Sequence, residues 1–283
     1  MIERVKMMPL GSKVKIIRIP VPSLTLWPHV TTNCYLVGNE KECLLIDAGY
    51  DQPETKEMIE KVRLEQQLAI PNRIILTHHH IDHASGVKQL TDWKVVIHSH
   101  QEDKEALLKV LPPGSELFNL QDGDLLKVDE TELKIIHAPG HTAGHLTFYL
   151  PSEEILIAGD TILGTGTPWI GPPDGNMSDY LQTLAKLKSL KLKKIGPGHG
   201  EWVDQPYEQI EFIISRRLSR EAQIVSLLKE HRKLSSDELT KKIYENNIHP
   251  SIYFVAKRTT EAHLIKLIQD GIVLQNDCMY HVI

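Results

Sequence analysis

Thr77-His78-His79-His80-Ile81-Asp82-His83 is the stretch on which the fold turns. Four of the chain's fifteen His fall inside it, and an Asp stands among the imidazoles. The run is internal and interrupted, so it is no purification tag; its composition is that of a metal site. Arg73-Ile74-Ile75-Leu76 leads into it and reads as a short buried strand. Three more loops, each after a β-prone run, present a metal-ligand type: His141 in Pro139-Gly140-His141-Thr142, Asp160 in Ala158-Gly159-Asp160-Thr161, and His199 in Gly198-His199-Gly200. With His78, His80, Asp82 and His83 they make five His and two Asp. A catalytic zinc takes about three protein ligands and keeps a position open for water, so seven donors suit two ions that share a carboxylate. Small residues beside His141, Asp160 and His199 let loops from different strands turn sharply and converge.

On either side of these loops the pattern is mixed. Apolar runs at 14–19, 35–37 and 43–46 predict antiparallel strands, with a hairpin turn at 38–41. Pro53 opens a predicted helix that ends before Pro71, and 94–97 predicts another strand after a polar helical stretch. From 117 to 161 the pattern predicts hairpins and a second sheet, and Ser178 is the expected N-cap of a helix running to about 190. Beyond 206 the character changes. A long helix is predicted over 208–230, a second from its N-cap Ser236 to about 245, and a third over about 251–269 stopped by Gly271; short strands follow at 272–274 and 280–283. That is winged-helix order. The expected division is a large domain over 1–206 and a small winged-helix-like domain over 207–283.

The 283 residues carry 32 Lys+Arg against 37 Asp+Glu, a net charge of −5, with 41% hydrophobic and 24% charged residues. This balance excludes disorder, collagen and coiled coil. Cys34, Cys43 and Cys278 are odd in number with no C-x-x-C pairing, which argues for a reducing, cytoplasmic setting rather than a disulfide scaffold. No stretch reaches the roughly eighteen apolar residues of a membrane span, and an N-terminus charged at Glu3, Arg4 and Lys6 does not read as a signal peptide. The charge is −6 over 1–206 and +1 over 207–283. Neither part has the strongly basic footprint of a committed nucleic-acid binder.

The ligand loops, taken in order with the early Ile46-Asp47-Ala48-Gly49, resemble those of the metallo-β-lactamase superfamily over about residues 14–206. The resemblance implies an α+β fold, a four-layer αβ/βα sandwich with the metals at one edge. It implies that His78, His80 and His141 hold one metal, that Asp82, His83 and His199 hold the other, and that Asp160 bridges them. Two zinc ions are the implied cofactor, with manganese or iron as alternatives. Asp47 is similar to a carboxylate that orients a ligand from behind, and Asp82 to one that binds metal and orients the attacking water. His145 reads equally as a hydrogen-bonding neighbour of the site and as a packed core residue. His79 is expected as an exposed loop side chain, and His98, His100 and His137 as structural. Trp27 and Trp169 are expected to cover core rather than line a substrate mouth.

A hydroxide between paired ions could attack an ester, thioester, lactam or phosphodiester, and the fold alone does not choose. Asp at position 160, where zinc β-lactamases commonly place Cys, points away from antibiotic hydrolysis. The chain also resembles, over essentially its whole length, the single-strand endoribonuclease group called β-lactamase-like protein 2, through Thr32-Asn33-Cys34-Tyr35-Leu36-Val37, Gly159-Asp160-Thr161-Ile162-Leu163-Gly164, Pro197-Gly198-His199-Gly200 and Ser215-Arg216-Arg217-Leu218-Ser219-Arg220-Glu221. That resemblance implies a phosphodiesterase on single-stranded RNA. Arg216, Arg217, Arg220, Lys257 and Arg258 are then candidate phosphate contacts or, equally, a solvated helix face. The loop Pro168-Trp169-Ile170-Gly171-Pro172-Pro173 departs from the group. The acidic body favours an alternative, a thioesterase or lactonase of glyoxalase II type acting on a small ester or thioester. A third reading, a nucleic-acid-binding regulator on a vestigial hydrolase fold, is opposed by the complete ligand set. The tail either contacts RNA or serves packing and homodimerisation, and no membrane partner is expected.

Overall fold

The computed structural model describes residues 13–25, 29–244, 248–249 and 252–283. Trp27, the expected end of the second tail helix at 245 and the expected start of the third at 251 lie outside the described residues. A first sheet runs β1 (Lys15–Pro22), β2 (Thr31–Gly38), β3 (Cys43–Ile46), β4 (Arg73–Ile75), β5 (Val96–Ser99) and β6 (Leu117–Asn119), in that spatial order. Its first three strands are antiparallel and the rest parallel. A second sheet holds β7 (Leu125–Val128), β8 (Thr131–His137), β9 (Leu146–Leu150), β10 (Ile155–Gly159) and β11 (Lys194–Pro197); the last pair is parallel. The segment 117–119, expected in a hairpin of the second sheet, instead joins the edge of the first by pairing with β5.

The two sheets face each other because β2 and β3 are apolar on both sides. Tyr35, Val37, Leu44 and Ile46 point into a core shared with Ile135, Phe148 and Ile157 of the second sheet. Cys34, Leu36, Cys43 and Leu45 point the other way, where Ile59 of α1 (Pro53–Glu65) and Leu107 of α3 (Lys104–Val110) cover them. Between those helices lie the single turn α2 (Ile81–Ala84) and a 3-10 stretch, Ser85–Trp93. The outer face of the second sheet is covered by α4 (Met177–Lys188) and by the first half of α5 (Pro206–His231). The result is helix, sheet, sheet, helix, the expected four layers. A strand buried on both faces reads as a continuous apolar run, and Cys43-Leu44-Leu45-Ile46 is one.

The long helix α5 is shared. Its Ile210 and Ile213 are buried against the second sheet and α4, while Ile224 and Leu228 sit in a separate core with Leu239, Leu264 and Val273. That second core belongs to the winged helix: β12 (Leu234–Ser235), α6 (Ser236–Tyr244), α7 (Tyr253–Gln269), β13 (Val273–Asn276) and β14 (Met279–Val282), with the strands ordered β12-β14-β13. Two caps differ from expectation by a residue or two. Asn176, not Ser178, caps α4, its Oδ1 accepting from the backbone of Ser178 at 2.9 Å. Ser235, not Ser236, opens α6 through a capping box, with its amide donating to Glu238 Oε2 at 2.8 Å and its Oγ accepting from the Glu238 amide at 3.2 Å. Among the described residues no helix is long and apolar enough to cross a membrane.

One buried histidine couples the winged helix to pH. His263 of α7 is fully buried, with Nδ1 3.3 Å from Glu221 Oε1, and Lys266 Nζ stands 3.1 Å from the other Glu221 oxygen. Burial lowers its pKa from 6.5; Glu221 opposes that, while Arg217 and Arg220 add to it. The folded state therefore binds this proton more weakly than the unfolded chain, so His263 destabilises the fold as pH falls below its unfolded value. Chemical denaturation from pH 8 to pH 5 checks this: the decline should be shallower in His263→Gln than in wild type, and equal slopes would refute it.

Candidate metal centre

The ligand loops leave their strands at one edge of the sandwich. His78, His80, Asp82 and His83 follow β4, His141 lies between β8 and β9, Asp160 follows β10, and His199 follows β11. They converge as two groups, buried except for the half-buried His80. Donor atoms of His78, His80 and His141 lie within 4.8 Å of one another, as do those of Asp82, His83 and His199. Asp160 sits between: its Oδ2 is 3.6 Å from His141 Nε2 and 3.4 Å from His199 Nε2, and its Oδ1 is 3.3 Å from His83 Nε2. Asp160 reaches this point because Gly159 takes a positive φ of 49° and because Gly198 has no side chain; a Cβ there would stand 2.0 Å from Asp160 Oδ1.

Four of the five imidazoles have one nitrogen fixed from outside by a bond of 2.7–2.8 Å. His141 Nδ1 donates to the Trp169 carbonyl at 2.7 Å, and His199 Nδ1 donates to that of Thr31 at 2.8 Å. His83 Nδ1 donates to Asp47 Oδ2 at 2.7 Å. Thr77 Oγ1 gives its proton to Asp47 at 2.8 Å and so accepts from His78 Nδ1, also at 2.8 Å. Each bond fixes the orientation of its ring and turns the other nitrogen toward the centre. Asp47 thus orients His83 directly and His78 through Thr77, from a left-handed turn (φ 57°) that Asp tolerates. His145 is both things expected of it: it is fully buried, stacked on His78, and its Nε2 accepts from the Asp160 amide at 3.2 Å.

Charge divides the cluster. Burial, then the neighbouring imidazoles, holds His78 well below the ordinary histidine range, and burial and His80 press His141 down to about 4. Burial also opposes charge on His83 and His199, but the carboxylates outweigh it, Asp160 first; His83 rises well above its ordinary value and His199 to about 10. Burial resists ionisation of Asp82 as well, yet His83 and His199 lower its pKa. His78 Nε2 and Asp160 Oδ1 are buried without a hydrogen bond among the described residues. Cations satisfy both, and imidazole nitrogen with carboxylate oxygen is a donor set that zinc takes. The residues present fit metal ions.

A profile of the metallo-beta-lactamase superfamily matches residues 27–199. The chain belongs to the metallo-β-lactamase superfamily. It is a metal-dependent hydrolase of that superfamily, and a profile of the beta-lactamase associated winged helix domain matches residues 235–280. The chain is 34% identical over 252 residues to a beta-lactamase-like protein 2 homolog of Caenorhabditis elegans, covering 86% of this chain and 80% of that one. It is 30% identical over 197 residues to an atrochrysone carboxyl ACP thioesterase of Aspergillus fumigatus, covering 70% and 59%. The fold matches that of a metallo-beta-lactamase family protein from Thermus thermophilus with a TM-score of 0.80 at 23% identity, over 95% of this chain and 98% of that one.

Around the cluster the outer positions correct several expectations. His79 is not an exposed loop residue: its side chain is 18% exposed, and Asp103 and Asp174 raise its pKa to about 9 against the effect of burial. Trp169 does not simply cover core; it stacks on His80 at 6.2 Å and lines a cavity at the cluster. Of the basic candidates, Arg217 is buried, stacks near Tyr180 and donates to the Pro168 carbonyl, so it is not part of a solvated face. Arg220 lies over the Tyr244 ring and donates to Gln223, Arg258 pairs with Glu261 at 2.9 Å, and Lys257 stands 3.6 Å from Asp237. Arg216 is exposed. His100 and His137 stack on each other at 4.1 Å, and His98 lies 5.9 Å from Phe118.

The residues that hold the loops are not marked as site residues by the sequence pattern. Thr32 Oγ1 donates to Asp82 at 3.1 Å, and Asn33 Nδ2 donates to the carbonyls of Pro197 and Gly200 on either side of His199. Asp103 accepts from the His79 amide, Thr142 Oγ1 and the Gly144 amide, tying the His78–His80 loop to the His141 loop. Asp174 Oδ2 lies 3.4 Å from His80 Nε2. Thr32 and Asn33 stand in the Thr32–Val37 motif; Asp103 ends a 3-10 turn before α3 and Asp174 lies in a polar loop, and no pattern marks either. Asp47→Asn keeps the shape but removes the charge facing His83 and Thr77. It should weaken metal binding by roughly tenfold to a hundredfold, read by competition with a chromophoric chelator. Unchanged affinity would deny Asp47 its orienting role.

Proposed function

We propose that the chain is a binuclear zinc hydrolase of a small ester or thioester bearing an apolar acyl group. The observation that carries this is the cavity of about 820 Å3 opening on the cluster. Away from the candidate ligands its wall is mostly apolar, with Leu163, Trp169, Phe254 and Val255 among its members. That is the size and character of a small-molecule site rather than of a groove tracking a polyanion. Winged-helix residues from α6 and α7 form one side of it, including Tyr244 and Thr259. The tail then serves to close a substrate pocket. The 30% identity to a thioesterase supports the same reading.

His78, His80 and His141 would hold one ion, Asp82, His83 and His199 the other, with Asp160 between them. Bound there, the pair supplies Lewis acidity, bringing the pKa of a water to around 7 and stabilising negative charge on the acyl oxygen. The chain's own residues bind and orient. Trp169, Leu163 and Phe254 receive the apolar group and keep bulk water from it. Thr32 fixes Asp82 through Oδ2, leaving the carboxylate placed to orient the attacking water and accept its proton. The water's hydroxyl joins the acyl carbon, the C–S or C–O bond breaks, and the proton leaves with the thiol or alcohol.

A second reading, cleavage of single-stranded RNA, rests on Arg216, which stands exposed on α5. The two are separated by one assay on metal-analysed protein, with and without chelator: N-acetylcysteamine thioesters and aryl esters beside a fluorescent single-stranded RNA. Chelator-sensitive acyl hydrolysis with RNA left intact is expected. RNA cut without acyl turnover would overturn the proposal in favour of the second reading. Asp82→Asn should lower kcat on the acyl substrate by roughly a hundredfold or more, and near-normal turnover would remove Asp82 from the mechanism.

A further inference from the structure

Arg217 lies midway along α5, 6% exposed, and lines the same cavity as the cluster. Its contacts account for only part of the guanidinium. One terminal nitrogen donates to the Pro168 carbonyl, and the central carbon lies 5.8 Å from the Tyr180 ring centre. Nε is buried without a hydrogen bond among the described residues. No carboxylate of the described residues forms an ion pair with it. Glu221, one turn further along α5, is already engaged by His263 and Lys266. The charges closest in sequence, Arg216 and Arg220, repel it.

A guanidinium taken out of water needs an anion or a full set of acceptors, and losing either leaves a costly buried charge. Arg217 has one carbonyl. It faces a cavity whose wall is otherwise apolar or neutral until the cluster is reached. A guanidinium also presents a planar fork that matches a carboxylate or a phosphate with two parallel bonds, which a lysine does not. We propose that Arg217 anchors a second anionic group on the substrate, a carboxylate or phosphate separate from the bond that is cut. The inference rests on the small-substrate reading above. It narrows the substrate from any apolar acyl compound to one that is apolar in the middle and anionic at a distance from the scissile bond.

The test uses metal-loaded full-length protein and product-like acids. Linear dicarboxylates from succinate to suberate are titrated calorimetrically, each against the monocarboxylate of the same length. Both acids offer one carboxylate to the cluster; only the dicarboxylate offers another to Arg217. At the length that spans the cavity, wild type should prefer the dicarboxylate by roughly tenfold to a hundredfold. In Arg217→Gln, which keeps a donor for Pro168, the ratio should fall to about one, and Arg217→Lys should lie between. Equal binding of the two acids by wild type at every length overturns the proposal without any variant, as does a preference that survives Arg217→Gln. ω-Phosphono acids of the same lengths form a third arm, and tighter binding than the dicarboxylates assigns the anion as phosphate. Failure of the small-substrate reading is told apart by turnover: no acyl hydrolysis with the dicarboxylate preference intact refutes the hydrolase substrate and leaves the anion site standing.

Discussion

Asp47 holds the centre together. Its two oxygens meet the Thr77 amide, the Thr77 hydroxyl and His83 Nδ1 within 2.7–2.8 Å, and from that one carboxylate the orientation of His83 and, through Thr77, of His78 follows. The bonds are short because the site is buried, and burial is also what makes them necessary. Five imidazoles and two carboxylates crowded together and largely buried repel and desolvate one another unless each is tied outward. The rest of the architecture supplies those ties. β2 contributes Thr32 and Asn33, the turn after β5 contributes Asp103, and the loop before α4 contributes the Trp169 carbonyl and Asp174.

How much of this is legible in the sequence depends on how local the cause is. The ligands are legible because a strand end and His or Asp recur together four times, three of them beside small residues. The two-sided burial of Cys43-Leu44-Leu45-Ile46 is legible as an unbroken apolar run. The 117–119 strand is not, because nothing within three residues says which of two sheets it will join. Helix starts are off by a residue or two at Ser178 and Ser236, since neighbouring Asn176 and Ser235 compete for the same cap. Arg217 and Arg216 are indistinguishable as letters. Only the helix phase, about 100° apart per residue, sends one inward and leaves the other in water. Asp103 and Asp174 act on residues tens of positions away, and no periodicity reports a partner so distant in sequence.

The winged helix changes meaning with its surroundings. In isolation, three helices and a small sheet suggest nucleic-acid binding. Here the bases on α5 and α7 are largely committed to Glu261, Gln223, Tyr244 and the Pro168 carbonyl, and the start of α7 faces the cavity beside the cluster. A fold of this kind offers an amphipathic helix pair, and what that pair does is set by which side meets the partner domain.

The loop Pro168-Trp169 receives two hydrogen bonds in succession. The Trp169 carbonyl fixes His141, and the Pro168 carbonyl is fixed by Arg217. One peptide therefore separates a candidate metal ligand from the helix that leads into the winged helix. The sandwich is for that reason not a module that can be lifted out of the chain. Trimming residues 207–283 would leave every one of the seven candidate donors in place by sequence while releasing the backbone that aims one of them, so swapping tails between relatives would be felt at the metal before it was felt at the substrate.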